Sequence, residues 1–375
     1  MGLSLDKNHF LVCIKCNIRM DPDFAIYSCK ICNGPLDIEY SHPVIGSFNS
    51  YNRESLSSLG EGHTPVVKLS KSASEIGVHN LYAKLEYFNP TASFKDRGSA
   101  RLVHILKENG CIELVEDSSG NAGASVAAYA ARFGIKAHIF VSINAPKPKL
   151  LQIQSYGAII HKISGSKNKV EQEALSFVKK NNLIYASHSR SPYFLEGMKT
   201  FSYELINNFI DSGKFPDHIV FPVGNGSLLL GAWKGLEELV ALGELKKIPK
   251  LHCIQPELVM PVVNRFKNNE YIVGTAARLS KELGNETIAS GASVEKPFRM
   301  NQILDAIRFT DGDAIGVSEK DILNSYTHLS QIEGIFAEPT SALALAGTEL
   351  LVDSGVINSA DSVLIPITGL GLKQI

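Results

Sequence analysis

Five short segments of this 375-residue chain carry residues whose types and spacing suit chemistry. In Asn89-Pro90-Thr91-Ala92-Ser93-Phe94-Lys95-Asp96-Arg97-Gly98, a lysine stands at the opening of a helix, after a strand and a proline-containing turn. Lys95 there feels the positive end of the helix dipole, which favours the neutral, nucleophilic amine that forms imines with carbonyl carbon. By position alone it also reads as a surface cation, and Asp96 and Arg97 as ordinary first-turn residues. Ser118-Ser119-Gly120-Asn121-Ala122-Gly123-Ala124-Ser125 follows a strand and opens a helix, so its amides and hydroxyls suit an anion. A helix cap made by Ser118 or Ser119 is the alternative. Gly224-Asn225-Gly226-Ser227-Leu228 offers consecutive amides with little side-chain obstruction, as a phosphate cradle requires. It lacks the lysine of a Walker motif and is not GxGxxG, and a plain strand-to-helix turn remains open. Thr368-Gly369-Leu370-Gly371-Leu372-Lys373 ends the last apolar strand, with a simple glycine turn as its bland reading. Cys13, Cys16, Cys29 and Cys32 follow C-x2-C-x12-C-x2-C, the spacing of a tetrahedral zinc site, against unmetallated remnant cysteines.

These segments need elements to hold them. Residues 1–40 contain only short β-type runs, Phe10-Leu11-Val12 and Leu36-Asp37-Ile38, which is too little core to fold without a staple. From about residue 80 onward, short β-rich runs alternate with longer helical ones, the rhythm of parallel α/β sheets. Strands are expected at 81–85, 113–116, 136–141, 158–161, 218–223 and 362–367. Helices are expected from near Ser93 to Leu106, over 122–133 with Gly134 at its end, and over 149–156, 170–180 and 228–242. The chemistry-bearing loops then lie at the carboxyl ends of strands, where open α/β sheets bind ligands. Cys111 and Cys253 stand alone in apolar runs and read as packing residues. The stretch 42–60 is the one linker-like segment.

Composition narrows the function. Hydrophobic residues make up 44% and charged residues 20%, enough for two packed domains and a small accessory module. The 37 Lys and Arg against 38 Asp and Glu give a net charge of -1, so no broad basic field invites nucleic acid or an acidic membrane. Residues 1–40, with 4 basic and 5 acidic side chains, make a nucleic-acid-binding ribbon equally unattractive. No apolar run approaches the roughly 18 residues of a membrane span, and the N-terminus lacks a basic start with a long apolar stretch, so a cytoplasmic protein acting on small molecules is expected.

The Lys95 segment resembles the cofactor-lysine motif of the fold-type II pyridoxal 5′-phosphate (PLP) enzymes, in the N-P-T-x-S-F-K-D-R form found in threonine synthases. The resemblance extends over nearly the whole chain, including Glu333-Gly334-Ile335-Phe336-Ala337-Glu338-Pro339 and the cysteine module. It implies that Lys95 holds the cofactor, that Asn121 meets its 3′-oxygen, and that Ser118, Ser119, Gly120, Ala122 and Gly123 bind the substrate carboxylate. It further implies that Gly224, Asn225, Gly226, Ser227 and Leu228 bind the cofactor phosphate, although threonine synthases often carry G-N-A-G-N there. Thr368 is implied to meet the pyridine nitrogen and to keep it largely unprotonated, a milder electron sink than a carboxylate partner gives. The implied architecture is α/β: two doubly wound domains of the fold-type II PLP kind with a zinc-ribbon-like N-terminal module on the larger one. The expected parts are that module at 1–40, a larger PLP-binding domain from 41–88 with 193–375, and a smaller domain at 89–192. The cofactor is expected in the cleft between the domains, and a homodimer is implied.

For substrate, the resemblance implies threonine synthase chemistry on O-phosphohomoserine. The segment around Glu196-Gly197-Met198-Lys199-Thr200 is similar to the family's E-G-x-K-T, but His188-Ser189 replaces its asparagine–serine pair and Phe194 falls where its phosphate-binding arginine is expected. His188, Ser189 and Arg190 are candidates to rebuild an anion site. A threonine or serine ammonia-lyase, which needs only loss of a β-hydroxyl, is the second possibility, and a non-catalytic binding protein on this scaffold the third.

Overall fold

The computed structural model describes residues 9–41, 58–145, 147–209, 214–267 and 286–374, so most of the linker-like stretch at 42–60 lies outside the described residues. Its strands in chain order are β1 (His9–Cys13), β2 (Arg19–Met20), β3 (Leu36–Tyr40), β4 (Val66–Lys68), β5 (Asn80–Lys84), β6 (Glu113–Glu116), β7 (Lys136–Ser142), β8 (Ile159–Ile163), β9 (Ile184–Tyr185), β10 (His218–Pro222), β11 (Lys250–Pro256), β12 (Ala314–Val317) and β13 (Ser362–Pro366). The chain packs as two compact units, Met1–Gly62 with Asn89–Thr200, and His63–Phe88 with Phe201–Ile375.

The first unit holds a parallel sheet in the order β8-β7-β6-β9. Residues 137–141 of β7 are all buried, the mark of a parallel strand covered on both faces. The alanine-rich helix Asn121–Phe133 ends at Gly134, whose φ of 66° is the left-handed conformation that stops a helix. Helix Lys167–Asn181 starts at Ser166, whose side chain accepts from the Lys169 amide.

The cysteine module forms an antiparallel sheet, β2-β1-β3, with alternating burial along β1 that points Leu11 and Cys13 inward. It belongs with residues 89–200 to the first compact unit, where the sequence suggested attachment to the larger domain. Aromatic contacts explain the placement: Phe24 lies 5.2 Å and His9 5.9 Å from the Tyr193 ring, Tyr27 meets Tyr185 edge-on at 5.1 Å, and the Tyr40 hydroxyl donates to Glu196 at 2.5 Å.

The second unit is built on a six-stranded sheet, β12-β11-β10-β13-β5-β4, parallel except for β4. Helix Pro339–Asp353 packs in its core with Leu343, Ala344, Leu351 and Ile365, all fully buried. Each sheet reverses its strand order once, at β6/β9 and at β10/β13. Loops leaving the carboxyl ends of such a pair diverge and open a crevice. The segments after β6 and β9 begin at Asp117 and Ala186; those after β10 and β13 carry Gly224 and Thr368. No described helix is long and apolar enough to cross a membrane.

Candidate functional site

Lys95 is the first residue of helix Lys95–Glu108. The turn before it is held by Asp96, which is fully buried and accepts from the Thr91 amide at 2.6 Å, the Thr91 hydroxyl at 2.6 Å and the Ser125 hydroxyl at 2.5 Å. Ser125 belongs to helix Asn121–Phe133, so one carboxylate joins the lysine turn to the helix that follows the serine-rich loop. Ala92 takes a φ of 61°, an αL conformation uncommon for a residue with a side chain, at the tip of this turn. On the far side, Arg97 donates to the Thr200 hydroxyl at 2.9 Å.

Helix Pro192–Met198 approaches the lysine helix closely. A side-chain carbon at Gly98 would lie 2.6 Å from the Phe194 ring, and one at Gly197 would lie 2.1 Å from the Arg97 carbonyl oxygen, so the contact requires both glycines. Phe194 is fully buried, and the Lys95 amine sits 4.5 Å from the Phe94 ring centre and 5.7 Å from that of Phe194.

The loop after β6 folds back over its helix so tightly that a carbon at Gly123 would fall 1.8 Å from the Ser118 carbonyl oxygen. Ser118 Oγ accepts from the Gly120 amide at 3.2 Å, and the helix N-cap is Gly120, not a serine. The capping alternative for Ser118 and Ser119 is therefore not what forms; Asn121, Ala122 and Gly123 make the first turn of the helix instead.

Beside this loop lies a group of acids that the sequence reading passed over. Glu116, the last residue of β6, is fully buried; its carboxylate meets His188 Nδ1 at 2.5 Å and accepts from the His188 amide at 3.2 Å. Asp117 accepts from the Tyr185 hydroxyl at 2.7 Å. Burial pushes the Glu116 carboxyl up to about 8, the nearby Lys95 charge opposing it, and raises Asp117 to about 6. His188 is held down to about 3 by burial first and by the Lys95 charge second. Glu116 and His188 thus share a single proton near neutral pH, close enough to Lys95 to feel its charge. Two adjacent carboxylates at a strand end, just before the serine loop, were the available signal.

The Arg190 guanidinium donates to Glu171 Oε1 at 2.9 Å from Nε and 2.5 Å from Nη2. Ser189 Oγ lies 3.2 Å from Ser187 Oγ.

In the second unit, Gly226 takes a φ of 76° at the N-cap of helix Ser227–Ala241. A carbon there would meet Ile303 at 2.4 Å, and one at Gly224 would meet the Gly291 carbonyl oxygen at 2.6 Å. Glycine stands at these two positions because nothing larger fits, and the loop's amides stand at the positive end of a 15-residue helix. That is the surface a phosphate monoester dianion needs. Asn225 is half-buried, Ser227 is buried, and the Leu228 side chain is in the core, which leaves its amide as its contribution. Just after the neighbouring strand β13, Thr368 is buried, with its hydroxyl 2.8 Å from Glu338 Oε1 and 2.9 Å from Ser341 Oγ.

The four cysteine sulfurs of the N-terminal module lie within 4.8 Å of one another, with Cys13–Cys32 at 3.4 Å, Cys16–Cys32 at 3.5 Å and Cys16–Cys29 at 3.7 Å. A tetrahedral zinc with Zn–S bonds of ~2.3 Å spaces its sulfurs about 3.8 Å apart, so the set fits that ion. A carbon at Gly34 would sit 3.2 Å and 3.3 Å from the Cys32 and Cys13 sulfurs, which explains a glycine there.

Known proteins share this chain's pattern. The family described as pyridoxal-phosphate dependent enzyme matches residues 57–369. Threonine synthase of Methanocaldococcus jannaschii is 33% identical, over 96% of this chain and 92% of that protein. Threonine synthase of Methanosarcina acetivorans is 34% identical, over 98% and 92%. Among solved structures, maize serine racemase superposes with a TM-score of 0.67 at 23% identity, covering 82% of this chain and 88% of that one. The threonine deaminase isoform 2 of Solanum lycopersicum gives 0.64 at 20% identity, covering 82% and 83%.

Proposed function

Because the chain belongs to the pyridoxal-phosphate-dependent enzyme family, we propose that it is a threonine synthase, converting O-phosphohomoserine and water to L-threonine and phosphate. The observation that carries this reading is the Lys95 turn, tied through Asp96 to the helix of the Ser118–Gly123 loop, in a chain 33–34% identical to threonine synthases along nearly its whole length. Bound PLP supplies the electron sink that lets protons leave the carbon atoms of an amino acid. Lys95 would be the residue that links to it, and its amine would move protons on the substrate. Ser118, Ser119, Gly120, Ala122 and Gly123 would bind the substrate carboxylate, Asn121 would meet the cofactor's 3′-oxygen, Gly224, Asn225, Gly226, Ser227 and Leu228 would hold its phosphate, and Thr368 would meet its ring nitrogen. Zinc on Cys13, Cys16, Cys29 and Cys32, a homodimer and a cytoplasmic location belong to the same reading.

A second reading has its own support. Phe194 is packed against Gly98, Arg190 is committed to Glu171, and Glu116 and Asp117 add carboxylates beside His188. Such surroundings suit a hydroxyl that must receive a proton as it leaves better than a phosphate dianion, as in an ammonia-lyase acting on threonine or serine. The test is to supply purified PLP-loaded protein with O-phosphohomoserine, or with L-threonine and L-serine. Phosphate released together with threonine supports the synthase. Ammonia and 2-oxo acid from the hydroxy amino acids, without phosphate release, would replace it with the lyase.

A further inference from the structure

His188 stands in the turn that leaves β9, and its surroundings fix both its position and its hydrogens. The Ala186 amide donates to the Val115 carbonyl at 2.8 Å and the Ser191 amide to the Ser187 carbonyl at 3.0 Å, so the backbone on either side of it is pinned. Glu116, fully buried at the end of β6, faces His188 with both carboxyl oxygens. Oε2 accepts from the His188 amide at 3.2 Å, and Oε1 lies 2.5 Å from Nδ1.

This geometry settles which ring nitrogen carries hydrogen. The amide approaches Oε2 as a donor, so the proton shared by the pair lies on the line from Oε1 to Nδ1. With the proton on Oε1, Nδ1 accepts it and the neutral ring keeps its own hydrogen on Nε2. With the proton on Nδ1, the ring is an imidazolium and Nε2 again carries hydrogen. Either way Nε2 is a donor. It meets no hydrogen-bond partner among the described residues, and the side chain is 14% exposed, which leaves the donor open to a ligand. The ring stands edge-on to Phe194 at 6.2 Å, and the Phe194 ring centre is 5.7 Å from the Lys95 amine.

Loss of the shared proton inverts the arrangement. An ionised Glu116 takes a hydrogen from Nδ1, and Nε2 is left as a bare acceptor. Burial pushes the Glu116 carboxyl up to about 8, which is where the inversion belongs. The other charged groups that reach the pair are Lys95, Lys167 and Asp117, the last held by the Tyr185 hydroxyl and within the field of Glu171.

We propose that Glu116 is a positioning residue that keeps a hydrogen on His188 Nε2, and that this N–H is the donor for the oxygen carried by the substrate's side chain. The inference rests on the reading that an amino acid reacts at Lys95. An ester oxygen of O-phosphohomoserine and a hydroxyl of threonine or serine both accept such a bond, so the donor serves either substrate.

Glu116→Gln separates the carboxyl proton from the shape of the side chain. The His188 amide still requires an acceptor, so the carboxamide turns its oxygen to that amide and its N–H to Nδ1, which keeps the hydrogen on Nε2 at alkaline pH as well. Protein carrying isotopically labelled histidine is studied by nitrogen magnetic resonance, with the His188 signals identified by their loss in His188→Gln. Wild type is expected to show a protonated Nε2 near neutral pH and a hydrogen moved to Nδ1 above about pH 8, while kcat/KM for the substrate it turns over falls roughly tenfold across the change. Glu116→Gln is expected to show neither. A bare Nε2 near neutral pH overturns the inference and leaves turnover at Lys95 standing. An alkaline fall that persists in Glu116→Gln, as one caused by Lys95 or Asp117 would, also overturns it. Absence of turnover with O-phosphohomoserine, threonine and serine removes the underlying reading, and the substrate role of His188 with it. Wild type decides the matter even if Glu116→Gln does not fold, because a kcat/KM that stays level while the hydrogen moves to Nδ1 excludes the donor.

Discussion

The shared proton of Glu116 and His188 has a consequence for stability that can be worked out in advance. Their ordinary values are 4.5 and 6.5, while in the fold the carboxyl lies at about 8 and the imidazole at about 3. The folded pair therefore keeps one proton from about pH 3 to about pH 8. The unfolded pair keeps one only between 4.5 and 6.5, has two below that range and none above it. Between 4.5 and 6.5 the two states bind equally and the pair adds no slope. Above 6.5 the folded state holds the extra proton, so stability falls as pH rises; below 4.5 the unfolded state holds it, so stability falls as pH falls. Each window is about 1.5 pH units wide at ~1.4 kcal/mol per unit, which gives a loss of about 2 kcal/mol on either side. The measurement is urea unfolding of the wild type and of the double variant Glu116→Gln, His188→Gln from pH 6.5 to 8, with the two profiles subtracted. The wild type should lose about 2 kcal/mol relative to the variant across that window. A flat difference would refute the buried one-proton pair.

Other expectations follow from single residues. Gly226→Ala combines a left-handed backbone, costing about 1–2 kcal/mol, with overpacking against Ile303, costing about 1–3 kcal/mol. It should lower the urea midpoint of the apoprotein and weaken PLP binding together; unchanged values of both would show that the loop does not need that backbone. Asp96→Ala leaves the Thr91 and Ser125 donors without their acceptor and should destabilise by about 3 kcal/mol, with Lys95 left less ordered. Retention of full stability and normal cofactor uptake would contradict its role as a tie. Protein made without chelators should carry one zinc per chain by elemental analysis, and Cys29→Ser should lose it. Metal-free wild-type protein of undiminished stability would exclude a structural zinc.

The parts legible in the sequence were local ones. Cysteine spacing, glycines that terminate or bare a loop, and apolar runs followed by helical ones are encoded within a few residues, and the strands and helices around Lys95, Asn121 and Ser227 are found close to where that coding put them. Helix Pro192–Met198 was not singled out because it is buried on every side, so it has no polar face to give a helical period. The pairs that shape the site were hidden for another reason. Glu116 and His188 are 72 residues apart, Asp96 and Ser125 are 29, and His9 and Tyr193, which dock the cysteine module, are 184. Such separations follow from the path of the chain between strands, not from any local pattern. Phe194 is the sharpest case: as a lone substitution it reads as a lost arginine, whereas its contact with Gly98 shows a packing residue beside the lysine turn.

The central claim is that the Lys95 amine is the group that carries the cofactor. Reducing the PLP-loaded protein with borohydride fixes the link, and peptide mapping by mass spectrometry locates it. The label should fall on Lys95 alone, and Lys95→Ala should take up none. A label on any other lysine, or an undiminished label in Lys95→Ala, contradicts the account.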